Sequence, residues 1–328
     1  MSMNRLHPQT KRQQHGLTLV EIMVAITISL VLLAGIIKIF QSAKQSYNIQ
    51  QALSRVQENA RLLTDVMVRD LSNSGYLGCL GATDKVINTL QDKAGSYDFA
   101  TAIQGTEGGA DPDAITLRHV SEATAIPVVE PMTDQKSSVV LDADHMNYGS
   151  LQQWDVVTVS DCAGAAVFMI TNDPDDTGVI QHAAGVAATS GPNETQTNTT
   201  EDLERIFGAQ TASSAKIYRV GTTSYQLQAS SSGKGKSLFV SPGGELVEGV
   251  DDLQIQYGIG STPANSTTPV IAEQYVDADN VTDWTNVVSV RITFSVNSVD
   301  MVVNPGDGDG LLHKTFTTTV RLRNRAPA

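Results

Sequence analysis

The residues able to do chemistry are few and scattered along the 328-residue chain. Two of its six histidines, His7 and His15, lie in the first sixteen residues; His119, His145, His182 and His313 stand apart from one another and from the two cysteines. There is no His-Glu-x-x-His pair of metal ligands and no Gly-x-Ser-x-Gly turn to present a nucleophilic serine. Ser230–Ser237 (SSSGKGKS) ends like a phosphate-cradling loop. A serine occupies the place of its required first glycine, however, and strand-like Leu238-Phe239-Val240 follows where a helix is needed. Carboxylates cluster at Asp277-x-Asp279-x-x-x-Asp283 and at Asp307-Gly308-Asp309, offering the hard oxygen donors that calcium takes. Neither group has EF-hand spacing, and Asp and Gly are also the ordinary residues of solvated turns. The inventory reads as non-enzymatic, with calcium the one candidate cofactor.

A further carboxylate stands where carboxylates are rare. From Leu17 to Ile37 the chain reads LTLVEIMVAITISLVLLAGII, with Glu21 its only charge; Arg5, Lys11 and Arg12 precede it and Lys38 and Lys44 follow. A helix over this run spans about 30 Å, the thickness of a bilayer's hydrocarbon core. A secretory signal peptide needs a shorter apolar core and a small-x-small cleavage site, which is missing here. A buried soluble helix does not account for the flanking charges. A plain membrane anchor fits the length but leaves Glu21 unexplained, since a carboxylate in lipid costs a few kcal/mol and normally has a partner or a task.

Gly16, then Leu17-Thr18-Leu19-Val20-Glu21, then the apolar run, together resemble the prepilin leader of type IV pilins and type II secretion pseudopilins. The resemblance implies cleavage between Gly16 and Leu17 by a membrane peptidase, N-methylation of Leu17, and retention of the apolar helix. Glu21 then becomes the fifth mature residue. In a filament core its carboxylate would pair with the terminal amine of a neighbouring subunit, so that two charges costly in lipid satisfy each other. The leader is longer than in many major pilins, and Leu17 stands where Phe is usual; both are common in minor pilins.

The elements around these residues follow from periodicity. Apolar residues recur at Ile49, Leu53, Val56, Ala60, Leu63, Met67 and Leu71, a helical stripe. Arg61–Asp65 and Asp65–Arg69 form i,i+4 charge pairs on the other face. No proline occurs between Leu17 and Gly75, and Gly75 is a natural helix stop. One helix of more than fifty residues is expected, apolar all round at first and amphipathic later. The stripe packs either on the protein's own sheet, the favoured reading, or on another chain as a coiled coil.

Beyond Tyr76 the period changes to two. Strands are expected at Ala114–Val120, Ser137–Leu141, Asp155–Ser160, Ala165–Thr171, Lys216–Val220 and Ser224–Gln228. Further strands are expected at Ser237–Val240, Leu253–Tyr257, Val287–Val296 and Thr315–Arg323. Thr189–Thr200 and Gly260–Pro269 read as exposed loops. The fold class is α+β, a type IV pilin-like lollipop with a long N-terminal helix packed on an antiparallel β-sheet head. Its parts are a cleaved leader at 1–16, a transmembrane or filament-core helix at 17–45, an amphipathic helix at 46–75 and a β-rich head at 76–328.

Three stretches sharpen the match: Gln57-Glu58-Asn59-Ala60-Arg61; Arg69-Asp70-Leu71 running on to Gly75-Tyr76-Leu77-Gly78-Cys79; and Arg321-Leu322-Arg323-Asn324-Arg325. With the large head they resemble PilW-type minor pilins of type IV pili. Residues 85–210 add little beyond Ser160-Asp161-Cys162. The resemblance implies a subunit of a complex that primes pilus assembly and sits at the tip. Its implied partners are other minor pilins, the major pilin, a tip adhesin, the prepilin peptidase and the inner-membrane assembly platform. Its location would be the inner membrane with a periplasmic head, then the pilus at the cell surface, in support of twitching, adhesion or DNA uptake. A minor pseudopilin of a type II secretion system is the alternative, and a DNA- or calcium-binding tip subunit a more distant one. Export to an oxidising compartment favours a Cys79–Cys162 disulfide over two buried free thiols. Nucleic acid is not an expected partner. Residues 76–328 hold 14 Lys plus Arg against 31 Asp plus Glu, and their one basic cluster is Arg321, Arg323 and Arg325.

Overall fold

The computed structural model describes residues 16, 18–78, 80, 86–93, 97–98, 101–175, 177–208, 215–260, 271–302 and 308–324. A single α-helix, α1 (Leu19–Asn73, 55 residues), opens the fold. Thr18 caps it, its Oγ1 accepting the Glu21 N–H at 3.3 Å. Ser74 closes it, and Gly75 follows at φ +73°. A side chain at Gly75 would also press on Ala102, 2.9 Å from where its Cβ would stand, so the helix stop is a glycine for two reasons.

Fifteen strands follow among the described residues: β1 (Val86–Asn88), β2 (Ile103–Thr106), β3 (Ala114–Val120), β4 (Ile126–Glu130), β5 (Val139–Leu141), β6 (Val156–Asp161), β7 (Gly164–Met169), β8 (Val179–Ile180), β9 (Lys216–Ala229), β10 (Lys236–Ser241), β11 (Gly244–Glu248), β12 (Val250–Ile259), β13 (Gln274–Val276), β14 (Val287–Asn297) and β15 (His313–Arg321). A four-stranded sheet runs β13-β12-β14-β15. An eleven-stranded sheet runs β1-β7-β6-β9-β4-β5-β8, with β3 and β10 also on β9, β2 on β3 and β11 on β10. All pairings are antiparallel except β1 with β7. The long helix on a curled, largely antiparallel sheet is the pilin-like lollipop expected from the residue pattern.

The amphipathic half of α1 buries Ala52, Val56, Ala60, Leu63, Met67 and Leu71. They pack with Leu253, Ile255, Val290, Ile292, Phe294 and Val320 of the four-stranded sheet, and with Leu117, Tyr225 and Leu238 of the larger one. The stripe therefore packs on the protein's own sheets. Burial begins at Ala52 rather than at Ile49 or Leu53, which remain partly exposed. A second core gathers Ile126, Val139, Val157, Phe168, Leu203 and Phe207, and a third Leu77, Leu90, Val167 and Tyr218. These fill the part of the head built from residues 77–218.

Three expectations are corrected. The two strands read at Lys216–Val220 and Ser224–Gln228 are one 14-residue strand, β9. Its first part pairs with β4 and β6 and the remainder with β3 and β10, and the unbroken ladder to β3 from Val220 to Tyr225 holds the Gly221-Thr222-Thr223 link extended. Thr189–Thr200 is no free loop: Asn193, Gln196 and Asn198 are buried, and Asn198 binds both backbone groups of Met169 at 2.8 Å. Arg69 pairs with Asp70 at 3.1 Å instead of Asp65, while Arg61–Asp65 forms as an exposed pair at 3.7 Å. The second expected loop is described only at Gly260; the rest lies outside the described residues.

Candidate assembly interface on the long helix

From Leu19 to Tyr47 the helix is exposed on every side, and its apolar window has no residue buried against the head. It is long and apolar enough to cross a bilayer. Its hydroxyls are satisfied within the helix, Thr27 Oγ1 donating to the Val24 carbonyl at 2.8 Å and Ser29 Oγ to that of Ala25 at 2.7 Å. Glu21 differs. Its side chain carries no hydrogen bond or ion pair among the described residues. It heads one face with Ile22, Ala25, Ile26, Ser29, Leu30 and Leu33. In the first helical turn it is favoured by the unsatisfied N–H groups there, and Thr18 holds that turn in place. The surface is one that hydrocarbon or other apolar helices would cover, with one anionic group at its head. Gly16 has open space about it, and Leu17 lies outside the described residues.

Comparison with protein families finds two matching models. The prokaryotic N-terminal methylation motif matches residues 11–37, covering Gly16, Glu21 and the exposed apolar half-helix. Type IV pilus-assembly protein W (PilW) matches residues 217–324, from β9 through β15. Together the two matches support a PilW-family assignment. No curated protein and no solved structure matches it. The PilW match covers strands that receive the helix stripe, so the two matches join through the core around Leu63 and Met67. The two matches support a general minor-pilin or pseudopilin role, structural in a type IV pilus-like assembly.

The candidate calcium carboxylates within the PilW match are engaged locally. Asp277 precedes a 3₁₀ turn and accepts from Gln256 Nε2 at 3.3 Å, and Asp279 lies in that turn. Asp283 caps another 3₁₀ turn through the Thr285 N–H at 2.8 Å. Asp309 accepts the Leu311 N–H at 2.9 Å, and Asp307 lies outside the described residues. Among the described residues no three His, Cys, Asp or Glu side chains are placed to hold a metal.

The histidines also serve local structure. His182 Nε2 lies 3.1 Å from the Ser137 carbonyl, its ring stands 5.0 Å from Phe168, and burial lowers its pKa. Burial lowers that of His119 as well, outweighing Asp70 nearby. His145 Nδ1 accepts the Asn147 N–H at 3.3 Å. His313 sits between Asp251 (2.7 Å) and Asp309 (2.9 Å).

Cys162 occupies the turn between β6 and β7, a turn shaped by Asp161. The Asp161 carboxylate, almost wholly buried, accepts the Ala163 and Gly164 N–H groups on Oδ1 at 2.8 and 2.9 Å. Oδ2 takes Arg205 Nε and Nη2 at 3.0 and 2.9 Å. Ser160 Oγ donates to the Leu77 carbonyl at 2.5 Å, which fixes this hairpin beside residues 77–78. No described cysteine is a free thiol; Cys79 lies outside the described residues. Sequence reasoning singled out Ser160-Asp161-Cys162 but missed Arg205, whose only signal was an unassigned basic residue 44 positions on.

Proposed function

We propose that the chain is a minor pilin of a type IV pilus, made with a leader at residues 1–16 that is removed between Gly16 and Leu17. Leu17 is then N-methylated, and the helix holds the head at the periplasmic side of the inner membrane until assembly. There it joins other minor pilins, the major pilin and a tip adhesin in the complex that primes the filament, served by the prepilin peptidase and the assembly platform. Glu21 neutralises the terminal amine of an adjacent subunit. The observation that carries this reading is the division of α1 into an exposed apolar half headed by Glu21 and a half buried in the head. A free-standing anchor would need neither the carboxylate nor a rigid continuation into the fold. A Cys79–Cys162 bridge staples the head. It is supported by the proximity of Leu77 to Ser160, and it closes a loop worth roughly 4–5 kcal/mol in the chain-entropy model.

Deletion of the gene, scored for surface piliation and twitching against protein secretion, tests the assignment. Loss of piliation with secretion intact is expected; loss of secretion with intact pili would make the chain a type II pseudopilin. Glu21→Ala should abolish function while the processed protein still reaches the membrane, and Gly16→Asp should leave the leader attached. Mass spectrometry of the exported protein before and after reduction reads the bridge, and two free thiols there would rule it out.

A further inference from the structure

The head ends its four-stranded sheet on an edge unlike its others. The remaining edge strands among the described residues are short: two residues in β8, three each in β1 and β13, four in β2 and five in β11. Short edges are one of the ways a sheet avoids recruiting further strands. The outermost strand β15 runs for nine residues with an unbroken register against β14 and contains no proline. The bond from Leu322 N–H to the Val288 carbonyl at 2.9 Å sets the parity of this ladder. Even-numbered residues of β15 face β14, and the N–H and C=O groups of Thr315, Thr317, Thr319 and Arg321 turn outward. Their side chains are exposed as well, so both the backbone edge and one flank stand open.

The charge along this edge is lopsided. At one end His313 is held between Asp251 and Asp309. At the other end Arg321 and Arg323 are exposed, and Arg291 on the adjacent strand has its guanidinium carbon over the Tyr275 ring, 3.8 Å from the ring centre. None of the three arginines has a carboxylate partner among the described residues, although residues 76–328 hold 31 acidic side chains against 14 Lys plus Arg. A second copy pairing antiparallel through the same strand would set Arg321 against the His313 end of its mate. The Asp251 and Asp309 carboxylates at that end are already engaged by His313.

We infer that β15 is a docking edge that accepts an extended segment of a different polypeptide as an added strand, with the carboxylates of that segment against Arg321 and Arg323. Main-chain hydrogen bonds supply the attachment, and the arginine end sets register and selects acidic partners. The inference goes beyond the assembly reading and stands on the geometry of the head, whichever machine the protein serves.

The test uses the full-length detergent-solubilised protein and two synthetic peptides, each alternating valine and threonine, one ending in paired glutamates and the other in paired lysines. The glutamate peptide is expected to bind at least about ten-fold more tightly and to slow amide exchange at Thr315, Thr317 and Thr319. Thr317→Pro removes an outward N–H without breaking the β14 ladder and should abolish binding at an unchanged unfolding midpoint. Should that midpoint fall, Arg321→Glu decides, because it keeps the edge and should reverse the peptide preference. Equal affinity for the two peptides, protection elsewhere in the head, or undiminished binding by both variants overturns the inference. So does a dimer of the protein itself that Thr317→Pro dissolves, since the edge would then serve a second copy.

Discussion

Tyr225, wholly buried in β9, donates its hydroxyl to the Asp70 carboxylate in the last turn but one of α1. Burial, followed by the hydrogen bond and charge of Asp70, raises the tyrosine pKa well above its ordinary value. The bond ties the end of the long helix to the strand that runs through the larger sheet. Any load on the helix therefore reaches the head through a polar link as well as through the apolar stripe.

Tyr225→Phe leaves the ring packed and strips Asp70 Oδ2, on a mostly buried carboxylate, of its donor, leaving only Arg69 on Oδ1. The expected loss is about 1–3 kcal/mol, read as a lower denaturant midpoint with unchanged slope. Asp70→Asn in the same background should recover part of it, because a neutral amide costs less to bury than a carboxylate held only by the exposed Arg69.

Asn198 stands in for a strand, its amide satisfying both the N–H and the C=O of Met169. Asn198→Ala orphans two buried backbone groups and should cost roughly 2–5 kcal/mol. Asn198→Asp retains the acceptor but sets a carboxylate in a fully buried site against the Met169 carbonyl, so its thermal melt should fall at least as far as that of the alanine variant.

Gly105 lies under the Tyr257 ring. A Cβ there would stand 2.0 Å from the hydroxyl oxygen and 2.5 Å from Cζ of a residue with no exposed surface, itself packed edge-on against Trp284 at 4.8 Å. Gly105→Ala should destabilise the head by about 1–3 kcal/mol through forced repacking. Gly35→Ala meets nothing within 4 Å and should leave head stability untouched.

Burial alone would lower the His313 pKa, but its hydrogen bonds to the Asp251 and Asp309 carboxylates, with their charges, outweigh it and raise the value above 6.5. The sign follows from linkage. The stabilisation is complete below the unfolded histidine pKa and disappears as pH rises through the raised folded value. Melting temperatures measured from about pH 5 to 8 should show this decline in the parent and a flatter profile in His313→Asn. A histidine NMR titration should place the His313 midpoint above that of an unstructured peptide.

Composition and period alone determined a great deal here. An apolar run with one carboxylate specifies a helix apolar on every side rather than on one face. A 3.6-residue stripe from Val56 to Leu71 specifies what that helix buries next, and the proline-free span to Gly75 sets where it stops. Strong alternation specified β3 to the residue and β12, β14 and β15 to within a few. Each of these signals is local, because each depends on where neighbouring side chains point. Tertiary structure decided whatever depends on a distant partner. The joining of two apparent strands into β9 required β4, β6, β3 and β10 around it. The burial of Asn198 within a polar stretch required the unpaired backbone of Met169, and the clamp on the Cys162 turn required Arg205 to meet Asp161 across 44 residues. The open edge of β15 is the sharpest case. A strand announces itself by alternation, but whether it lies inside a sheet or at its rim depends on which backbones come to lie beside it, and side-chain periodicity carries no record of that.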